Sequence, residues 1–95
     1  MKQSHTLLLR LTKQKNHQAF KTLYDQTSPK VYSLILHFLR TKNVSEKVLE
    51  EVYEDVWNKC GTYNPKNSSV ISWMLEITKN KVASRLAVKN KSVLN

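Results

Sequence analysis

The residues best suited to bind a ligand lie in the last quarter of the chain, where aromatic, amide and hydroxyl side chains recur at helical spacing. At 100° per residue, Trp73, Asn80 and Ser84 fall within about 40° of one another. An indole can stack on a nucleobase, and an amide and a hydroxyl can hydrogen-bond to base edges or phosphates. Three basic residues flank this stripe and could hold a phosphate backbone: Lys79, Lys81 and Arg85. This pattern fits a nucleic-acid-binding helix, but spacing alone more often indicates a partly buried tryptophan and a solvated lysine-rich surface.

Acidic and basic residues are unevenly distributed along the chain. Five of the seven acids lie within ten residues, namely Glu46, Glu50, Glu51, Glu54 and Asp55. The last quarter has one acid, Glu76, followed by basic residues up to Lys91. Separate acidic and basic segments indicate two different partners, whereas a uniformly basic coat would indicate unspecific binding. The acidic segment could also be a solvated surface.

The overall composition excludes several classes of protein. The net charge of +9, from 16 Lys+Arg against 7 Asp+Glu, indicates a polyanionic partner, with nucleic acid the first candidate and an anionic membrane surface the second. No apolar run approaches the roughly 18 residues of a membrane span, and none has the layout of a signal peptide. The lone Cys60 excludes an internal disulfide and a multi-cysteine zinc site. We therefore expect a cytoplasmic protein in which Cys60 is a buried small side chain.

No arrangement of residues predicts catalysis or a bound cofactor. His5, His17 and His37 lie on different segments without metal-ligand spacing. The chain has no glycine-rich phosphate loop, no nucleophile motif and no carboxylate pair outside the acidic segment. We expect a protein that is not an enzyme, with no cofactor and no metal site.

One glycine and two prolines are too few for the turns of a β-sheet, so the composition predicts an all-α domain. A first helix is predicted over residues 4–14, with Leu7, Leu8 and Leu11 on one side. A second begins after an Asn16 N-cap, and its apolar positions keep one phase across Pro29. This phase predicts either one helix bent at Pro29 or two helices that abut there.

Two further helices and a loop complete the expected fold. Ser45 is the predicted N-cap of the third helix, with Glu46 in its first turn and Gly61 as its stop. A loop follows over residues 62–69, and either of its two final serines can cap a fourth helix over about 70–89. The predicted core stripe of that helix consists of Ile71, Leu75, Val82 and Leu86. We expect residues 1–95 to form one domain, a bundle of four to five helices.

Three blocks of the sequence resemble the extracytoplasmic-function (ECF) sigma factors of bacterial RNA polymerase. Residues 19–32 are similar to the first conserved block of that family. Residues 45–57, S-E-K-V-L-E-E-V-Y-E-D-V-W, resemble its A-E-D-V-V-Q-E-V-F-x-x-x-W helix. Residues 63–80 resemble its Y-D-P…G-S-F…W-L…I-A-R-N run. The similarity covers nearly all of residues 11–90 without a gap.

The resemblance implies the N-terminal, region 2 domain of a sigma factor, which joins core RNA polymerase to the −10 element of a promoter. The third helix would then dock on the clamp helices of the largest polymerase subunit. The positions implied for docking are Glu46, Lys47, Glu50, Glu51, Glu54 and Trp57. An anti-sigma factor is a further implied partner. Such factors also carry a second helical domain that recognises the −35 element, which this chain does not contain.

The resemblance also implies that the loop and the fourth helix separate the strands and capture a flipped base of the non-template strand. Flipping a base costs a few kcal/mol, which a pocket and stacking must offset. The positions implied for DNA binding are Tyr63, Asn64, Lys66, Asn67, Ser68, Ser69, Trp73, Lys79, Asn80, Ser84 and Arg85.

Four departures from the family pattern support an alternative hypothesis. Lys47 replaces an aspartate, Glu50 a glutamine and Ser84 an aspartate, and residues 68–70 are S-S-V instead of G-S-F. The alternative is a degenerate sigma-like interaction module, a decoy or a domain bound by an anti-sigma protein, without promoter activity. A third hypothesis is a basic helical protein that binds RNA or anionic lipid through charge alone.

Overall fold

A computed structural model describes the backbone of residues 4–94 and the side chains of residues 4–87. Within that part of the chain there are four α-helices, a short 3-10 turn and no β-strand. The elements are α1 (His5–Lys13), α2 (His17–Leu39), α3 (Lys42–Lys59), the 3-10 turn (Cys60–Thr62) and α4 (Val70–Leu94). The helix α2 packs against α1, α3 and α4, and α3 also packs against α4. The prediction of an all-α bundle of four to five helices is confirmed.

The N-cap of α1 is Ser4, whose Oγ accepts a hydrogen bond of 3.1 Å from the Leu7 amide. Its buried face contains Leu8, Leu9 and Thr12, whereas Leu7 is 37% exposed. The predicted apolar side was therefore rotated by about one position. Hydropathy alone does not mark Thr12 as a core residue, yet its hydroxyl donates to the Leu8 carbonyl at 2.8 Å and needs no other partner.

The helix α2 is continuous through Pro29. Of the two predicted alternatives, one helix through Pro29 is therefore correct, and two abutting helices are not. The predicted cap at Asn16 is confirmed, since its Oδ1 accepts from the Ala19 amide at 3.0 Å. Pro29 lies on the exposed side of α2, while Thr27 and Val31 are buried. The missing amide of the proline therefore falls outside the packed face, and the buried stripe passes along the whole helix.

The start of α3 differs from the prediction. The chain reverses at Arg40, whose φ of 61° is left-handed and whose amide donates to the Leu36 carbonyl at 2.9 Å. The helix begins directly afterwards at Lys42, so the Ser45 amide already donates to the Thr41 carbonyl at 2.9 Å. Ser45 is fully buried inside α3 and is not its cap. The placement of Glu46 in the first turn was wrong for the same reason.

The helix α3 ends at Lys59, close to the predicted stop but by another mechanism. Its last turn tightens into the 3-10 turn, and Gly61 lies within that turn without a positive φ. A left-handed glycine cap is therefore not what ends the helix. Of the two serines proposed to cap α4, Ser69 does so, because its Oγ accepts from the Ser72 amide at 3.2 Å. The helix α4 continues to Leu94, beyond the predicted 89.

The core stripe of α4 was predicted only in part. Val82 is buried, but the predicted Ile71, Leu75 and Leu86 are half-buried. The other buried residues recur every four positions: Val70, Met74 and Thr78. Thr78 donates to the Met74 carbonyl at 2.8 Å, which satisfies its hydroxyl within the helix and allows it to face the core.

A buried hydrogen bond joins α2 to α3 between Thr27 Oγ1 and Tyr53 Oη, which are 2.5 Å apart. The single hydroxyl proton of Thr27 goes to the Leu23 carbonyl at 2.7 Å, so Tyr53 must donate to Thr27. The Tyr24 ring packs edge-on against Tyr53 with the centroids 4.6 Å apart. Burial raises the pKa of Tyr53 to about 12, and the side-chain hydrogen bond between Tyr53 and Thr27 opposes only part of that effect.

The raised pKa of Tyr53 makes stability depend on pH in the alkaline range. Native Tyr53 keeps its proton until about pH 12, whereas an unfolded tyrosine loses it near pH 10. Stability therefore falls as the pH rises from about 10 to about 12, by about 3 kcal/mol in total. The variant Tyr53→Phe should lose this component, and urea midpoints measured at several pH values would show it. An unchanged alkaline slope in Tyr53→Phe, with Tyr32→Phe as the control, would contradict the assignment.

Candidate nucleic-acid interface

The segment between the 3-10 turn and α4, residues 63–69, has a fixed shape. The Tyr63 hydroxyl donates to the Ser68 carbonyl at 2.7 Å, which closes the segment on itself. Within it, the Lys66 amide donates to Asn64 Oδ1 at 3.0 Å and the Asn67 amide donates to the Asn64 carbonyl at 3.0 Å. These bonds make an Asx turn that holds the backbone without burying it. We call residues 63–69 the closed loop.

Most side chains of the closed loop are exposed. Asn64, Lys66, Asn67 and Ser69 are exposed, and Tyr63 and Ser68 are half-buried. The segment contains no acidic residue. It therefore presents amide and ammonium donors on a preformed backbone, which is the composition expected for contacts to bases and phosphates.

Trp73 is half-buried, although stacking on a nucleobase would require an exposed indole. Its ring packs edge-on against Tyr63, with the centroids 5.6 Å apart, and it borders the hydrophobic core. Asn80 and Ser84 are exposed, as predicted. Trp73 is thus partly covered by Tyr63 of the closed loop. Of the three residues of the predicted stripe, only Asn80 and Ser84 are open to solvent.

Two of the three basic residues that flank the stripe bind acidic residues of α3. Arg85 Nη2 lies 2.6 Å from Glu51 Oε2, and Lys81 Nζ lies 3.3 Å from Asp55 Oδ2. Lys79 is exposed and has no ion pair with another described residue. Ion pairs therefore join the acidic helix α3 to the basic helix α4, and Lys79 is left available to a partner.

The acidic residues of α3 divide into two sets. Glu46, Glu50 and Glu54 are exposed and recur every four positions, so they lie on one face, with the exposed Lys47 beside them. Glu51 points instead toward α4, where it binds Arg85. The predicted docking positions are thus brought together on one face, with the exception of Glu51.

Trp57, the remaining predicted docking residue, is half-buried against α2. Its ring stacks on His17 at a centroid distance of 4.9 Å and meets Phe20 edge-on at 5.2 Å. Lys15 Nζ lies 5.1 Å from the Trp57 ring centroid. A cation and two rings therefore cover much of the indole.

A groove of about 540 Å³ runs between α2 and α3 beside the exposed glutamates. Tyr24, Tyr32 and Leu49 give it an apolar surface, and Glu46 and Glu50 stand at its edge. The arrangement suits the apolar and basic side chains of another helix.

Sequence reasoning assigned no role to the basic end of α1, which lies beside the closed loop. Arg10 and Lys13 line a cavity together with Tyr63 and Pro65. Their spacing of three residues places both on one side of α1, and this spacing could have indicated a basic site from the sequence. The ion pair between Asp55 and Lys81 could not be predicted from sequence spacing, because 26 residues separate the two in the chain.

No helix among the described residues is both long and apolar enough to cross a membrane. No group of three or more His, Cys, Asp or Glu residues in that part of the chain could hold a metal ion.

The chain is similar over most of its length to curated ECF sigma factors. It is 37% identical over 79 residues to the ECF RNA polymerase sigma factor SigK of Mycolicibacterium vanbaalenii, which covers 83% of this chain and 40% of that protein. It is 32% identical over 80 residues to SigK of Mycobacterium sp. (strain KMS), covering 84% and 42%. It is 29% identical over 79 residues to SigK of Mycobacterium tuberculosis, covering 83% and 42%.

No family model matches the chain. The chain spans about 42% of the length of the curated relatives it matches. These relatives support an ECF sigma factor-like domain.

The pair between Glu51 and Arg85 should contribute modestly to stability, because both side chains are about one-third exposed. We expect a coupling free energy of about 0.5–1 kcal/mol from the double-mutant cycle of Glu51→Gln and Arg85→Gln, measured by urea unfolding. The matched cycle of Glu54→Gln and Arg85→Gln should give a coupling near zero. Equal coupling in the two cycles would show that general charge, and not this contact, is responsible.

Proposed function

We propose that this domain is a transcription initiation module that binds core RNA polymerase and recognises and melts the promoter −10 element. The observation that carries the proposal is the closed loop, a donor-rich segment held by internal hydrogen bonds, which leads into the helix that exposes Asn80 and Ser84. The similarity to ECF sigma factors supports the same function. The activity requires no catalysis, since strand separation is driven by binding free energy and no covalent bond changes.

On the DNA side, the closed loop would receive an unpaired base of the non-template strand. Flipping the base costs a few kcal/mol, and contacts to the base must offset that cost. The bonds from Tyr63 to Ser68 and within the Asn64 turn fix the loop beforehand, so little conformational entropy is lost on binding. Asn80 and Ser84 would contact base edges next to the flipped base, and Lys79 a phosphate.

Arg85 would contribute less to DNA binding than Lys79. Its guanidinium is already held by Glu51 at 2.6 Å, so a phosphate must compete with that carboxylate. Lys79 has no such competitor among the described residues. The sequence alone placed both residues in the same role.

On the polymerase side, the exposed face of Glu46, Glu50 and Glu54 would meet basic residues of the clamp helices. The neighbouring groove would accept their apolar side chains against Tyr24 and Leu49. Lys47 is exposed on this face, where its charge opposes the attraction. Docking on core polymerase should therefore be weaker than an all-acidic face would allow.

The variant Asn80→Ala tests recognition of the −10 element. It should weaken binding to a single-stranded or fork-junction −10 fragment by about tenfold, because the amide is lost from the base edge. Fluorescence anisotropy at several salt concentrations would measure it. The control Asn58→Ala, an exposed asparagine of α3, should bind as the wild type does. Wild-type affinity in both Asn80→Ala and Trp73→Ala/Asn80→Ala would refute the proposed DNA contacts.

The variant Lys47→Asp tests polymerase docking. It should increase capture of core polymerase by the domain, since a negative charge then replaces the positive charge beside Glu46, Glu50 and Glu54. Pull-down of core enzyme at low and moderate salt would measure the change, with Lys21→Asp on α2 as the control. If neither the wild type nor Lys47→Asp binds core polymerase, the degenerate interaction module is the better hypothesis.

A further inference from the structure

A small cavity lies between α1 and the segment that enters the closed loop. It has a volume of about 160 Å³ and is lined by seven residues: Thr6, Leu9, Arg10, Lys13, Cys60, Tyr63 and Pro65. Leu9 and Cys60 form its apolar floor and are 2% and 7% exposed. The cavity is too small for most metabolites but is large enough for one substituent of a larger ligand.

Two cations stand at the edge of this cavity and no acid lines it. Arg10 and Lys13 occupy the last turn of α1. The five ion pairs among the described residues involve neither of them. Both charges are therefore available to an anion.

The end of the Lys13 stem lies next to the 3-10 turn. A Cβ built at position 61 would stand 3.8 Å from Lys13 Cε, which is an ordinary van der Waals distance. The ammonium group of Lys13 is therefore close to the segment that enters the closed loop.

Tyr63 belongs to the cavity and to the closed loop at once. Its ring lines the cavity, while its hydroxyl donates to the Ser68 carbonyl and its edge contacts Trp73. A ligand that follows the closed loop toward α1 therefore meets Arg10 and Lys13 next.

We propose that this cavity binds a phosphodiester group of the single strand held by the closed loop. Arg10 and Lys13 hold the phosphate oxygens, and Tyr63 and Pro65 contact the attached sugar. The inference rests on the proposed function and extends the DNA-binding surface from the closed loop and α4 to α1. A phosphate is favoured over a carboxylate partner because the site adjoins a segment suited to unpaired bases.

The test uses non-template −10 oligonucleotides in which one linkage at a time is a neutral methylphosphonate. With the wild-type chain, one or two neighbouring linkages should weaken binding when neutralised. In Arg10→Gln/Lys13→Gln these linkages should make no difference, and the salt slope should fall by about 0.7 for each phosphate lost. The variant Lys21→Gln/Lys42→Gln removes the same charge from exposed sites outside the cavity and should keep the wild-type linkage profile.

The outcomes separate this inference from the proposed function. If the wild type does not bind the oligonucleotide, both fail. If it binds and Asn80→Ala weakens it, but Arg10→Gln/Lys13→Gln keeps the wild-type linkage profile, only the α1 phosphate site is refuted. Identical profiles in the two double variants would likewise refute it.

Discussion

The hydrogen bond from Tyr53 to Thr27 fixes how α3 lies on α2, and the positions of the other functional elements depend on that packing. A buried phenol without a partner would destabilise the fold by about 1–3 kcal/mol, so the two helices are held in the register that makes this bond. The same register places the Trp57 ring between His17 and Phe20. It also decides which acids of α3 face solvent and which face α4. The 3-10 turn and the closed loop then continue from the end of α3.

Three buried threonines explain how a small helical core can contain polar residues. Thr12, Thr27 and Thr78 each donate to the carbonyl four residues earlier, at 2.7–2.8 Å. Each hydroxyl is satisfied within its own helix, and the methyl group is free to pack. Of the three, only Thr27 also accepts a hydrogen bond from another helix, that of the Tyr53 hydroxyl. Its hydroxyl therefore bonds both within α2 and to α3.

The sequence predicted the helix count, the all-α class and the cap at Asn16, and it limited the cap of α4 to Ser68 or Ser69, because these features depend on local spacing and local hydrogen bonds. It failed at Ser45, because the left-handed residue Arg40 ends α2 and α3 begins at Lys42, three residues before that serine. It failed in part for the α4 core, because Thr78 does not count as apolar until its hydroxyl is bonded to Met74. The pair between Glu51 and Arg85 joins residues 34 apart, and no periodicity within one helix reports such a contact.

The two bridges from α4 to α3 also determine the shape of the electric field around the molecule. Glu51 and Asp55 neutralise Arg85 and Lys81 within the bundle, while the closed loop and the end of α1 keep their cations uncompensated among the described residues. Among the described residues, the cations without an ion pair therefore include Arg10, Lys13 and Lys66, which lie on and beside the closed loop. A polyanion that approaches this domain is oriented before contact, so the association rate should fall steeply with ionic strength while dissociation changes much less.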